Sequence, residues 1–409
     1  MNIKFQRAVD RYLGVPICAL LSVMDRIRGK ANVTTPPHRI LIILLSEMGS
    51  LVLAHPMFAR LKQRYPDASI HVLLFAKNRE VLDLLGVASE ANVLTLDDGS
   101  LSGLVNDSLK AIRTLRKLKI DVVIDCELFA RISSIFSFLS GAPLRVGFHR
   151  HTQEGLYRGS FINRPVMYNP YRHLSRQFLT MVEALESTTV PVAKLLPAPD
   201  PCIPPLLKFV EQELELVAAQ LHDDFPAIKD KLLVLVYPSG GILPIRAWPI
   251  ESYNRLCRKL LDEGYAVGVI GLKGDQPVAQ VIVDHCQSPT CINLAGYTKS
   301  VRQLLALFHL ASLLVTNDGG PGQLAALTPL PTITLFGPET PQLYQPLGSN
   351  GYSFFLSLPC SPCLTAYNHR TSPCDGDNQC LKLITPEQVL TKAREMLAKD
   401  AGTLNRRVV

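Results

Sequence analysis

Long apolar runs are missing from this 409-residue chain. None approaches the ~20 residues that cross a bilayer, and no small-residue cleavage site follows the short apolar stretch near the N-terminus. We therefore expect a cytoplasmic protein. Charge is sparse at 19% of residues, and 42 Lys and Arg against 35 Asp and Glu leave +7. There is no long basic tract, so this mild excess suits anionic ligands or a membrane surface and argues against nucleic acid. Disordered or collagen-like composition is also lacking, with 25 Gly, 30 Pro and 47% apolar residues. The length provides for ~2 to 3 domains with cores that need no cross-links, which excludes a disulfide scaffold. Of ten cysteines, six (Cys18, Cys126, Cys202, Cys257, Cys286, Cys291) are scattered and read as small buried hydrophobes.

Residues 1–35 stand apart. An apolar stretch from Val15 to Met24 lies between Lys4, Arg7 and Arg11 on one side and Arg26, Arg28 and Lys30 on the other. Six cations against Asp10 and Asp25 net +4, so residues 1–30 could lie in the interface of an anionic leaflet or dock as an ordinary helix on the domain behind them. From Arg39 onward, apolar strand-like runs alternate with helix-period segments. Strands apolar on both faces mean a parallel sheet covered on both sides. A Pro-rich stretch, placed at 191–206, reads as a linker. The alternation then restarts. The expected organisation is an N-terminal doubly wound domain at 36–190 and a second at 207–409, with ligands at the carboxyl ends of the strands. No fixed-period repeat relates the two.

Several strand-end loops could carry chemistry. In the first half, Glu47-Met48-Gly49-Ser50 closes a strand and opens a helix, where backbone amides face a ligand. A single glycine there is too few for the three-glycine dinucleotide fingerprint, which argues against a nicotinamide enzyme. The second half offers Ser239-Gly240-Gly241, then Arg246-Ala247-Trp248-Pro249, then Asn317-Asp318-Gly319-Gly320-Pro321, then Gly337-Pro338. Any one of these could be a plain turn. Together they describe a diphosphate pocket made of amides, hydroxyls and one guanidinium, with no pair of acids in the loops to hold a divalent metal. Asp318 could accept from a sugar hydroxyl or cap its helix.

These residues resemble glycosyltransferase family 9, typified by ADP-heptose:lipopolysaccharide heptosyltransferases. The likeness spans about residues 38–398 and is carried most specifically by Thr316-Asn317-Asp318-Gly319-Gly320-Pro321, Leu324-Ala325-Ala326 and Thr334-Leu335-Phe336-Gly337-Pro338. It implies a GT-B fold of two Rossmann-like α/β domains and an inverting, metal-independent sugar transfer that requires no cofactor. The donor would be a nucleotide diphosphate sugar, ADP-heptose in the typical members. It would bind at Ser239, Gly240, Arg246, Asp318, Gly319, Gly320, Gln323 and Gly337. An acidic lipid-linked acceptor such as lipopolysaccharide core would bind the N-terminal half, at the inner face of the cytoplasmic membrane.

Three positions depart from the family pattern. Ser50 stands where an aspartate general base is usual, Gln323 replaces a histidine, and Arg246 replaces a lysine. A serine cannot keep an abstracted proton at neutral pH, so Glu47, three residues earlier, is the substitute base. A catalytically silent sugar-nucleotide or glycan-binding protein is the alternative.

Between Arg145 and Arg176 lie six arginines, three histidines and one acid, Glu154, which suits an anionic acceptor. Arg150 and His151 are the individual candidates beside Gly49. Finally, Cys360, Cys363, Cys374 and Cys380 fall within a loop at 360–380, where thiolates could hold a structural metal despite irregular spacing.

Overall fold

A computed structural model describes residues 3–28, 36–45, 47–128, 130–148, 157–187, 203–366, 368 and 370–404. The chain divides into two units. One is Met1–Cys202 with Thr365–Arg370, and the other is Ile203–Leu364 with Thr371–Val409. The expected linker, through residue 202, lies outside the described residues, as do Arg150 and His151.

The first unit holds six strands: β1 (Arg39–Ile43), β2 (Ser69–Phe75), β3 (Val93–Leu96), β4 (Val122–Asp125), β5 (Leu144–Phe148) and β6 (Arg164–Val166). They form one parallel sheet in the order β3-β2-β1-β4-β5-β6. β1 lies at the centre, with Ile42 registered against Val72 on one side and Ile124 on the other. β4 and β5 are buried along their whole length, as strands covered on both faces must be. Leu41, Ile43, Leu73, Leu115, Val123 and Phe136 share one core. Each such side chain stabilises the fold by about 1.5–3 kcal/mol through burial. Helices α1 (Ile3–Tyr12) and α2 (Gly14–Arg28) precede β1, and α3 (Met48–Arg64) follows it.

The second unit repeats the design with β7 (Leu233–Tyr237), β8 (Ala266–Gly271), β9 (Cys291–Ala295), β10 (Leu313–Asn317), β11 (Thr332–Phe336) and β12 (Gly351–Phe355). Their order is β12-β11-β10-β7-β8-β9, again all parallel. Read outward from the first strand of each unit, the two sheets have the same topology, although no sequence repeat relates them. In this topology the strand order reverses between β1 and β4, and between β7 and β10. A crevice opens there at the carboxyl ends, which fixes where each unit presents its chemistry. The two GT-B halves are thus both doubly wound α/β units.

Candidate active site

In the second unit, Asn317 is the hub of the strand-end loops. It is fully buried at the end of β10. Its Oδ1 accepts from the Trp248 amide at 3.0 Å and from the Tyr253 hydroxyl at 3.1 Å. Its Nδ2 donates to the carbonyls of Tyr237 at 3.3 Å and Ser239 at 3.1 Å. One amide therefore ties the loop after β7 and the loop bearing Arg246 to β10. Trp248, 1% exposed, fixes the second of these from below, its Nε1 donating to the Ile384 carbonyl at 2.9 Å. The turn after β7 needs its glycines. A Cβ on Gly240 would lie 2.7 Å from the Leu243 carbonyl oxygen, and Gly241 has φ +60°. The Ser239 hydroxyl accepts from the Gly241 amide at 3.1 Å, so it closes this turn.

Arg246 lies between two carboxylates. Its Nη2 donates to Glu339 Oε1 at 2.8 Å, and its Nε lies 3.6 Å from Asp318 Oδ2. All three side chains are largely buried, at 13%, 2% and 8% exposure. Asp318 and Glu339 converge, but with a guanidinium between them in place of a metal-ligand pair. The N-cap of the helix Gly320–Ala325 is Gly319, and Asp318, one residue before it, is an ion-pair partner of Arg246. Gln323 is buried at 6% exposure and its Nε2 donates to the Tyr344 carbonyl at 2.6 Å. Gly337 packs so tightly that an added Cβ would approach Leu381 Cγ to 2.5 Å. The structure thus gathers Ser239, Gly240, Arg246, Asp318, Gly319 and Gly320 on neighbouring strand ends, while the Gln323 amide is bonded to the Tyr344 carbonyl and Gly337 packs against Leu381.

In the first unit, Glu47 occupies the N-cap position of α3 but makes no side-chain cap bond. Its carboxylate pairs instead with Arg370 Nη1, from the Thr365–Arg370 segment that belongs to this unit. Arg370 is 8% exposed and Glu47 40%. Arg7 lies within electrostatic range of both. Burial and then the like charge of Arg370 pull its pKa below the ordinary arginine value, while Glu47 opposes them. Gly49 and Ser50 lie in the first turn of α3, the Ser50 amide donating to the Glu47 carbonyl at 3.1 Å.

Sequence reasoning missed a second carboxylate at this end: Glu127, just past β4, accepts from the Leu45 amide at 2.7 Å and is 7% exposed. Next to it Asp125, fully buried, pairs with Arg158. Burial pushes the Asp125 carboxyl up from its ordinary value, while Arg158 and hydrogen bonds from Ser133 and the Glu127 amide draw it back. Acids directly after an apolar strand were the available signal.

Two of the six arginines assigned to an anionic acceptor are therefore committed elsewhere. Arg158 is buried with Asp125, and Arg145 pairs with Asp25 at 2.6 Å. Nor are Cys360, Cys363, Cys374 and Cys380 gathered into a metal cluster. Among the described residues no three Cys, His, Asp or Glu are grouped to hold an ion. All four thiols are unbridged, and burial followed by the neighbouring Cys363 and Cys360 pushes Cys380 up to about 11. Of the scattered cysteines, Cys18, Cys126, Cys257, Cys286 and Cys291 are buried. A shallow depression lined by Arg116, Lys119, Asp121 and Gly141 lies before β4 and β5, at the strand ends away from these sites.

The family model for glycosyltransferase family 9 (heptosyltransferase) matches residues 108–372, more than half of the chain. The chain belongs to glycosyltransferase family 9. Within that family it is 26% identical over 367 residues to lipopolysaccharide heptosyltransferase 2 of Salmonella typhimurium, covering 88% of this chain and 99% of the relative. The solved structure of E. coli ADP-heptose LPS heptosyltransferase II superposes with a TM-score of 0.68 at 23% identity, over 89% of this chain and 99% of that one. E. coli heptosyltransferase WaaC with ADP gives 0.61 at 16% identity, over 88% and 99%. This family 9 chain is a heptosyltransferase-like glycosyltransferase with the two-domain GT-B fold.

Proposed function

We propose that this chain is an inverting, metal-independent transferase. It would move heptose from ADP-heptose to an acidic lipid-linked acceptor such as lipopolysaccharide core, at the inner face of the cytoplasmic membrane. The observation that carries the reading is the set of strand-end loops that Asn317 binds together around Arg246, in a family 9 chain. The names of the relatives, lipopolysaccharide heptosyltransferases, support the donor sugar and the acceptor.

In this mechanism an acceptor hydroxyl attacks the anomeric carbon from the side opposite the diphosphate. The bond to the diphosphate oxygen breaks and its electron pair leaves with ADP. Arg246 and the amides that open the helix Gly320–Ala325 offset the growing negative charge, so the scheme needs no metal. Asp318 and Glu339 act as positioning residues that hold the guanidinium in one orientation before donor arrives. Glu47 takes the hydroxyl proton, with Ser50 beside it in the first turn of α3. Glu47 pairs with Arg370, and its 40% exposure leaves it accessible to an acceptor. Gly49 offers a helix-start amide. Arg150 and His151, outside the described residues, remain the proposed acceptor contacts with residues 1–30 as the membrane contact.

The silent-binder reading is favoured by two observations: Ser50 at the usual base position and the Gln323 amide turned to the Tyr344 carbonyl. ADP release from ADP-heptose in the presence of acceptor and EDTA, with the product anomer read by NMR, separates the readings. Release with inversion supports transfer. Donor binding without release supports the silent protein. Release abolished by EDTA contradicts metal independence.

A further inference from the structure

We propose that α2 is a membrane-docking platform whose outward face inserts into the headgroup region of an anionic bilayer. This deepens the reading above, and rests on it only for the presence of a membrane at the acceptor.

The helix is used on both sides. Its inner face buries Cys18 and Leu21 against Phe138, Phe161 and Ile162. Ser22 Oγ accepts from the Ser160 amide at 2.8 Å, and Asp25 pairs with Arg145. The preceding helix is fastened in the same way. Asp10 accepts from the Arg131 amide at 2.8 Å and the Ile132 amide at 3.1 Å, capping the helix Arg131–Leu139, and pairs with the Arg131 guanidinium at 3.2 Å. The pair of helices is a fixed part of the first unit.

Among the described residues the outer face has no such partner. Leu13, Ile17, Leu20, Val23, Met24 and Ile27 are 58%, 41%, 62%, 53%, 37% and 81% exposed. At 100° per residue, Leu13 and these helix positions fall within an arc of about 120°, one continuous apolar stripe. Exposed leucines scattered singly are ordinary, whereas a stripe of this size marks an interaction surface.

Charge selects the occupant. On the same projection Arg28 lies about 20° beyond one edge of the stripe and Arg26 about 60° beyond the other, and both are exposed. The acids of the two helices, Asp10 and Asp25, are both spent on inward ion pairs, so the rim of the stripe is wholly basic. A second copy packed on this stripe would bring two basic rims together. An anionic lipid surface neutralises them while accepting the apolar face, as interfacial helices do. Fifteen residues make a helix of about 22 Å, too short to span a bilayer and suited to lie along it.

The test is sedimentation of the full chain with vesicles of phosphatidylcholine containing 30% phosphatidylglycerol, and with phosphatidylcholine alone. The wild-type chain is expected to partition at least tenfold better onto the anionic vesicles. Leu20→Asp with Ile27→Asp is expected to lower that partition at least tenfold, and Arg26→Glu with Arg28→Glu to remove the preference for anionic lipid. Both positions of the first variant are exposed, so its melting temperature and its ADP-induced thermal shift should match wild type. Leu20→Ser with Ile27→Ser is the milder control. Wild-type chain left in the supernatant would overturn the proposal. So would unchanged partition of the aspartate variant, or a dimer in solution that this variant abolishes without any vesicle binding. ADP binding is read separately, so failure here is distinguishable from failure of the donor assignment.

Discussion

The two units carry groups of three charges of opposite sign pattern. In the second unit one guanidinium, Arg246, lies between two carboxylates, Asp318 and Glu339. In the first, one carboxylate, Glu47, pairs with Arg370 and lies within electrostatic range of Arg7. The sheets have the same strand order, so topology did not dictate this difference. It teaches that the shared fold supplies the place, while loop residues decide which charge is offered. One end leaves a net cation suited to an anionic acceptor. The other holds a preoriented cation between two carboxylates, a net charge of −1, so any attraction for a diphosphate there has to draw on backbone amides as well.

That contrast can be broken at several points. The largest effect should come from Arg158→Ala in the first unit. It strands Asp125, fully buried, without its partner and should destabilise the protein by about 3–5 kcal/mol, read as a denaturation midpoint. A change within error would mean that water reaches this pair. Glu47→Gln should lower turnover roughly 100-fold or more with donor affinity kept, since removing a general base acts on chemistry alone. An unchanged rate would leave the first unit's carboxylate with a purely structural role opposite Arg370.

In the second unit, Arg246→Ala should weaken donor binding by about 1.5–3 kcal/mol, the scale of a charged hydrogen bond. Undiminished affinity, measured by titration calorimetry, would show that the amides suffice. The smallest effect concerns pH. Burial holds His55 in α3 below the ordinary histidine pKa of 6.5. Its neutral form is therefore favoured in the fold, and its contribution is present above pH 6.5 and lost as pH falls through the lower folded value. His55→Gln should flatten the decline in melting temperature below pH 6.5. A decline identical to wild type would assign it to other groups.

Much of the fold was legible because parallel strands covered on both faces announce themselves as Val-, Ile- and Leu-rich runs. The strands β1 to β4, β7, β8, β10 and β11 read that way, and β5 less clearly because Arg145 interrupts it. The short edge strand β6 carries Arg164 and Pro165, β9 contains Asn293, and the exposed edge β12 begins Gly-Tyr-Ser. None gives an unbroken apolar signal. The loops that Asn317 joins were legible as glycine-rich strand ends. Their partners were not. Arg246 meets Glu339 from 93 residues away and Glu47 meets Arg370 across 323, distances at which no local pattern specifies pairing. Arg145 and Arg158 looked like surface cations in a basic stretch, but in the fold each meets an acid on another element.

The central claim is that the second unit holds a nucleoside diphosphate sugar, and a thermal-shift panel tests it most directly. ADP, UDP, GDP, their sugar conjugates and NAD are compared at matched concentration, since a ligand at 100 times its Kd stabilises by about 2.7 kcal/mol. The account predicts a shift with ADP and ADP-heptose that Arg246→Ala diminishes. No shift with any nucleoside diphosphate, or a shift with NAD alone, would contradict it.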